Sequence, residues 1–188
     1  MRSLRQFARQ RLDALVVLEA PRASERVSAL RLQHASVAPR QLAQQLTDAK
    51  KHLAGALGGA TGIFGLAALP ADLTAVAWLQ LSLCVEVAIV YRVNLKAPSA
   101  RADVVDLFAR ANGLGPLTRA GPRVLGSVAG ALLRRGGVLQ LGRALPLVAS
   151  PLTAYLNNQH LQHMGDCAVR HYEGFLKAKE KREAVPSP

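Results

Sequence analysis

"LGGATGIFGLAALPADL", Leu57–Leu73, decides how the chain is read, because glycines at 58, 59, 62 and 65 fit three different architectures. They could cradle a phosphate, let two helices touch, or sit in a bilayer. A dinucleotide loop needs a β-strand before it and a helix that starts at the glycines. Here the preceding "TDAKKHLAGAL" reads as helix, and no G-x-x-x-x-G-K-[ST] occurs. Helix contact fits better. Gly55 with Gly59, and Gly58 with Gly62, are both G-x-x-x-G, and Ala54, Ala56, Ala60 and Thr61 widen the small surface. Each helical glycine costs about 1 kcal/mol relative to alanine, so the run needs close packing to offset it.

From Leu53 to Ala71 there are 19 consecutive uncharged residues, and after Asp72 a second uncharged run reaches Val85. Length alone would allow either to span a membrane. Content argues otherwise: the first run is Gly- and Ala-rich, and the second contains Gln80 and Ser82 and meets Glu86. The expected shape is a helical hairpin: a small-residue arm, a turn at "LPAD" (69–72), then the bulky arm "LTAVAWLQLSLCVEVAIVYRV". Pro70 separates the arms and Asp72 favours the N-terminus of the second. Leu73, Val76, Ala77, Leu81, Cys84, Val85 and Ala88 form that arm's inward stripe by i, i+3, i+4 spacing. Glu86 and Asp72 are the unusual charges of this apolar region, and they read as capping or as pairing with an arginine such as Arg92.

On the N-terminal side, residues 3–19 place Leu4, Phe7, Arg11, Leu12, Leu15 and Leu18 near helical spacing, with Arg2, Arg5 and Arg9 on other faces. This is a basic amphipathic helix, and "APRAS" at 20–24 is expected to end it. Its apolar stripe suits docking on the core better than lying on a membrane. A second helix is expected over Ser24–Gln33 and a third from Pro39, which fits a first helical turn. On the C-terminal side, "NLKAPSA" at 94–100 reads as a loop. A helix over Arg101–Ala111 follows, with Val104, Val105, Leu107 and Phe108 inward and Asp103, Asp106 and Arg110 outward. "NGLGPLTRAGPR" at 112–123 is a loop or boundary. Val124–Leu133 reads as a helix closed by "RRGG", where Arg134 and Arg135 suit its C-terminal dipole. "VLQLGRALPLVASPLTAYLNN" is a second apolar unit broken at Pro146 and Pro151. A last helix spans Thr153–Lys181, before a disordered "EAVPSP".

The 188 residues suffice for one domain. Few aromatics and much Ala, Leu and Gly favour helices. The fold class expected is therefore all-α: a single compact multi-helix domain around the Gly/Ala-rich hairpin. Residues 1–38 hold the basic amphipathic helices, 39–180 the main helical domain and 181–188 a disordered tail. The formal charge of +12 is unevenly spread: residues 1–52 carry ten Arg/Lys against four acids, and 96–150 carry eight against two. Between them, residues 53–95 hold only Arg92, Asp72 and Glu86. Two basic segments flanking an uncharged one would attract anionic surfaces. Nucleic acid is not the expected partner, since the aromatics are scattered through apolar runs instead of interleaving the basic residues. Cys84 and Cys167 make no disulfide framework and fit a reducing compartment. With no secretory h-region near the N-terminus, the expected location is cytoplasmic, peripheral to the inner face of the cell membrane.

Chemistry-bearing patterns are sparse. His160, His163, Cys167 and His171 step by three, four and four, so they share a helix face with zinc-ligand chemistry. A straight helix spreads such a set over about 16 Å, too far to surround one ion. Polar surface or satisfied histidines are the expected reading, with no metal and no cofactor. Serines and cysteines lack any G-x-S-x-G or paired base. No catalytic residue is therefore assigned and the chain is read as no enzyme.

"GGATGIFGLAALPADLTAVAWLQLSLCVEVAIVYRVNL", then "LFARANGLG", "LGRALPLVASPLTAYLN" and "DCAVRHYE", resemble the EcsC family of bacterial proteins. Gly58, Gly59, Gly62, Gly65, Leu69, Pro70, Leu73, Pro146, Asn157, Ala168 and Tyr172 stand where that family's pattern residues would. The likeness extends over roughly residues 40–175, carried by Gly- and Leu-rich positions of low specificity. Asp72 replaces the usual Glu, Gln80 and Ser82 lie near where relatives carry Arg, and "SPLTAY" lacks the usual glycines. The resemblance implies an all-α bacterial domain in a membrane-linked setting and transfers no catalytic residue.

The functional expectation is a non-enzymatic, membrane-associated helical protein that binds lipid or acyl chains in a hydrophobic groove. Small residues opposite bulky helices leave room there, which points to Gly58, Gly62, Gly65, Leu69, Trp78, Leu81 and Val85 as groove residues. Arg2, Arg5, Arg9, Arg134 and Arg135 are the expected contacts to the anionic surface. The alternative is a scaffold or adaptor that binds a membrane transporter or self-associates. A third reading is a metal-dependent enzyme on His160, His163, Cys167 and His171.

Overall fold

The computed structural model describes residues 2–63, 69–113 and 146–183, and these are helical with no strand among them. The helices are α1 (Arg2–Gln33), α2 (Pro39–Ile63), α3 (Leu69–Val90), α4 (Pro98–Ala111) and α5 (Pro146–Glu183). They pack as one all-α domain, as the composition indicates.

α3 is its axis. Every residue from Leu79 to Ala88 is buried, Gln80, Ser82 and Glu86 included, because α1, α2, α4 and α5 all pack around it. The inward stripe expected for this arm is therefore too narrow: both faces are inside, while Ala77 of that stripe is exposed. A helix apolar all round belongs in a core or a bilayer, and no helix among the described residues is long and apolar enough to cross a membrane. α3 begins at Leu69, so "LPAD" is its first turn and not a separate turn. It ends in a Schellman motif, with Val93 N–H bonded to the Ala88 carbonyl and Arg92 N–H to that of Ile89. Arg92 takes the left-handed position, φ 58°, where glycine is usual. Arg31 of α1 donates to the last-turn carbonyl of Val90 at 2.7 Å.

α1 departs most from the sequence reading. It is one helix of 32 residues and does not stop at 20–24, for Pro21 lies inside it. Proline removes the N–H that would bond the carbonyl of residue 17. Pro21 and Val17 are both exposed, so water is at hand for that carbonyl. The buried face is also rotated from expectation. Val16, Glu19, Ala23 and Val27 are buried and Leu12 and Leu15 pack against the core, whereas Leu18 is 55% exposed. Glu19 on the inward face is what misdirects a purely apolar reading.

α2 starts at Pro39 as expected and packs most extensively on α5. The two run antiparallel: Thr47 meets Gly165, and Lys51 Nζ donates to Gln162 Oε1 at 3.0 Å. The close backbone approach is at Gly165, where an added Cβ would lie 2.4 Å from Thr47 Oγ1. Gly55, by contrast, is half-buried with no neighbouring heavy atom within 4 Å of an added Cβ. The G-x-x-x-G pair of Gly55 with Gly59 is therefore not a tight contact at Gly55. The linker 64–68, which would complete the hairpin, lies outside the described residues.

α4 begins at Pro98, three residues before the expected start, with Pro98 in its first turn. Val104, Val105 and Leu107 are buried as expected. It closes on Asn112, whose side chain donates to the Phe108 carbonyl at 2.9 Å, followed by Gly113 at φ 75°. α5 runs through Pro151 and on to Glu183, so the break expected there is absent and 181–183 are helix, not tail. The expected helix at 124–133 and the segment 138–145 lie outside the described residues, as do residues 184–188.

Candidate functional site

Three helices bring charge into the core. Glu19 lies on the inward side of α1 and Arg26, two turns on, reaches in from the rim with its side chain 41% exposed; Lys50 comes from α2, and Ser82 and Glu86 are one turn apart on α3. Glu86 is 0% exposed, and Ser82 and Glu19 are buried. Arg26 Nε donates to Glu86 Oε1 at 2.5 Å. Its Nη2 donates to Glu19 Oε1 and, at 3.1 Å, to Ser82 Oγ. Lys50 Nζ reaches Ser82 Oγ at 2.7 Å and Glu86 Oε1 at 3.0 Å. The Ser82 hydroxyl donates to Glu19 Oε1 at 2.7 Å. One serine thus accepts two bonds and donates one, its full capacity. Burial lowers the Arg26 pKa, but hydrogen bonds and charge from Glu19 and Glu86 outweigh it, and the net shift is upward.

Two carboxylates face two cations, so the network is balanced when all four are ionised. The sequence reading that paired Glu86 with an arginine such as Arg92 names the wrong residue: Arg26 and Lys50 hold it, and Arg92 is exposed beyond the helix end. A signal existed in Glu19 and Arg26, a carboxylate and a guanidinium seven residues apart on one helix, together with Glu86 in an apolar run. Ser82 beside Lys50 has the look of a nucleophile and base. Its hydroxyl is buried and donates to Glu19 Oε1, which ties α3 to α1.

A second polar group joins α3, α4 and α5. His171 Nε2 donates to Asp103 Oδ2 at 2.8 Å, so Asp103, which lies at the surface as expected with its side chain 41% exposed, also ties α4 to α5. Tyr172 stacks on Tyr91 with ring centroids 6.1 Å apart, and Tyr91 OH donates to Glu173 Oε1 at 3.3 Å. Burial, then the nearby Glu173 carboxylate, pushes the Tyr91 phenol up to about 12. Burial also raises the Tyr172 phenol and the Cys84 thiol. The histidine and cysteine face divides: His171 goes to Asp103, while Cys167 Sγ lies 3.5 Å from His163 Nε2 and accepts from Arg170 at 3.4 Å. His160 is half-buried. Among the described residues no three His, Cys, Asp or Glu gather as a metal-holding group.

Of the expected groove residues, Leu81 and Val85 are buried in the core around α3 and Trp78 is half-buried. Gly58, Gly62 and Leu69 lie in helices, but their surroundings are outside the described part, as is Gly65 altogether. Of the expected surface contacts, Arg9 is half-buried. The side chains of Arg2 and Arg5, and all of Arg134 and Arg135, lie outside it. The outer face of α1 carries the apolar side chains of Val17, Leu18 and Leu32, the last 85% exposed, although Leu18 is expected on the inward stripe. Arg11 and Arg22 are exposed on the same side, with Glu25 as the acid among them.

No family model matches the chain, and no curated protein or solved structure does either.

Proposed function

We propose that the chain is a non-enzymatic helical protein that docks on an anionic membrane surface through the outer face of α1 and receives a lipid or acyl chain among α2, α3 and α5. The observation that carries this reading is the outer face of α1, where Val17, Leu18 and Leu32 stay exposed beside Arg11 and Arg22 although the opposite face is fully used by the core. Apolar side chains framed by arginines suit the boundary between headgroups and acyl chains. The net charge of +12 adds long-range attraction to anionic lipid. The resemblance to EcsC proteins agrees with a membrane-linked setting.

Sedimentation with vesicles tests the docking. Vesicles containing phosphatidylserine should carry the protein down and pure phosphatidylcholine vesicles should not. Raising the salt should weaken binding as the charges are screened. Val17→Asp with Leu18→Asp should weaken binding at least about tenfold, equivalent to about 1.4 kcal/mol, without changing the fold. Equal binding by this double variant overturns α1 as the docking face. Retention only when a membrane protein is present in the vesicles would favour the adaptor reading. Mass spectrometry of lipid extracted from the purified chain tests the acyl ligand separately.

A further inference from the structure

The two cysteines of the chain sit on α3 and α5 in opposite settings. Cys84 is 0% exposed, with Met164 Sδ 3.3 Å from its sulfur, and burial raises its thiol pKa. A thiol held that way is inert. Cys167 is half-buried and free, and side chains from the turn before and the turn after it on α5 reach its sulfur. His163 Nε2 lies 3.5 Å away, and Arg170 Nη2 donates at 3.4 Å.

Helix spacing brings these three together, because residues four before and three after a position share its face. The neighbouring acid is occupied elsewhere: Asp166 Oδ1 accepts from Gln162 Nε2 at 3.2 Å, and Gln162 Oε1 is held in turn by Lys51. Both contacts to the sulfur therefore come from a base and from a fixed positive charge. His163 Nε2 can take the thiol proton, and the Arg170 guanidinium then faces the anion that results. Thiols react as thiolates, and a histidine and an arginine alongside favour that form. His163 and Arg170 are themselves exposed, so the group lies at the surface where a small solute reaches it.

We propose that Cys167, activated by His163 and Arg170, is a redox modification site at which a hydroperoxide oxidises the thiol to a sulfenic acid. The thiolate sulfur attacks one peroxide oxygen, and the S–O bond forms as the O–O bond breaks. Sulfur gives up two electrons and the peroxide is reduced by two. With hydrogen peroxide the leaving hydroxide takes the proton held on His163 and departs as water. Susceptibility to this oxidation follows thiolate character and exposure, which separates Cys167 from Cys84. The site is independent of the membrane docking and acyl binding proposed above.

Full-length protein is exposed to hydrogen peroxide at neutral pH with dimedone, which traps sulfenic acid, and the adduct at each cysteine is followed by peptide mass spectrometry. The expected result is adduct at Cys167 and none at Cys84. An ordinary thiol is only a few per cent thiolate at neutral pH, so Cys167 should react at least about tenfold faster in the folded chain than in the urea-unfolded one. His163→Ala and Arg170→Ala should each slow the reaction several-fold at an unchanged melting temperature, since both side chains are exposed. Arg170→Lys, which keeps the charge, should restore part of the rate. A folded-state rate no higher than the unfolded one, or one that neither alanine variant lowers, overturns the inference. Adduct at Cys84 as fast as at Cys167 overturns it too.

Discussion

Glu86 is 0% exposed and held by Arg26 and Lys50, so its worth is measured by removing its charge and not its bulk. The cations left behind are less buried, Arg26 41% exposed and still bonded to Glu19, and Lys50 12% exposed, so the cost is that of lost charged hydrogen bonds, about 1.5–3 kcal/mol. Glu86→Gln is expected to lose about that much in denaturant unfolding. Glu86→Leu with Lys50→Leu should lie closer to the native chain than either single change, because two apolar residues strand no charge between them. Gly165 poses the opposite test. An alanine Cβ there would sit 2.4 Å from Thr47 Oγ1 and 2.9 Å from its Cγ2. Thr47 is buried and its hydroxyl donates to the Ala43 carbonyl at 2.8 Å, so it has little freedom to turn away. Gly165→Ala should cost about 1–3 kcal/mol by overpacking. In a Thr47→Ala background, where the two clashing atoms are gone, most of that cost should vanish in a double-mutant cycle.

Among the elements, helix ends were partly legible and helix middles less so. Pro39 and the inward valines of α4 follow from local rules, since a proline in the first turn loses no bond and an amphipathic helix shows its faces. Pro21 and Pro151 were misread as breaks because the carbonyl each leaves unbonded is judged by its surroundings, which spacing does not carry. Glu19 hid the true face of α1 for a related reason: a charge counts as outward until its partners on other helices are known. The candidate site suffered most from this, since Glu86 looked unusual on its own while Lys50 and Ser82 looked ordinary until folding joined them. Arg92 gives the test at this scale. At φ 58° a side chain costs about 1–2 kcal/mol that glycine does not incur. Arg92→Gly should therefore raise stability by about 1 kcal/mol, read as a higher denaturation midpoint with an unchanged slope.

Over the whole molecule, α1 is bound into the domain by Glu19 and Arg26, and no contact of the described residues marks it as a separable arm. A chain lacking residues 1–38 would open Glu86, Ser82 and Lys50 to one side and uncover the core face that Val16 and Val27 fill. It is expected to lose the single cooperative thermal transition and not to survive as a smaller folded domain. The same network has a consequence in sequence drift. Each of its five members satisfies at least two others, so a lone replacement strands a charge or a hydroxyl inside the core. Descendants of this chain should keep Glu19, Arg26, Lys50, Ser82 and Glu86 as a block or exchange them together for apolar residues, leaving few viable intermediates between the two states.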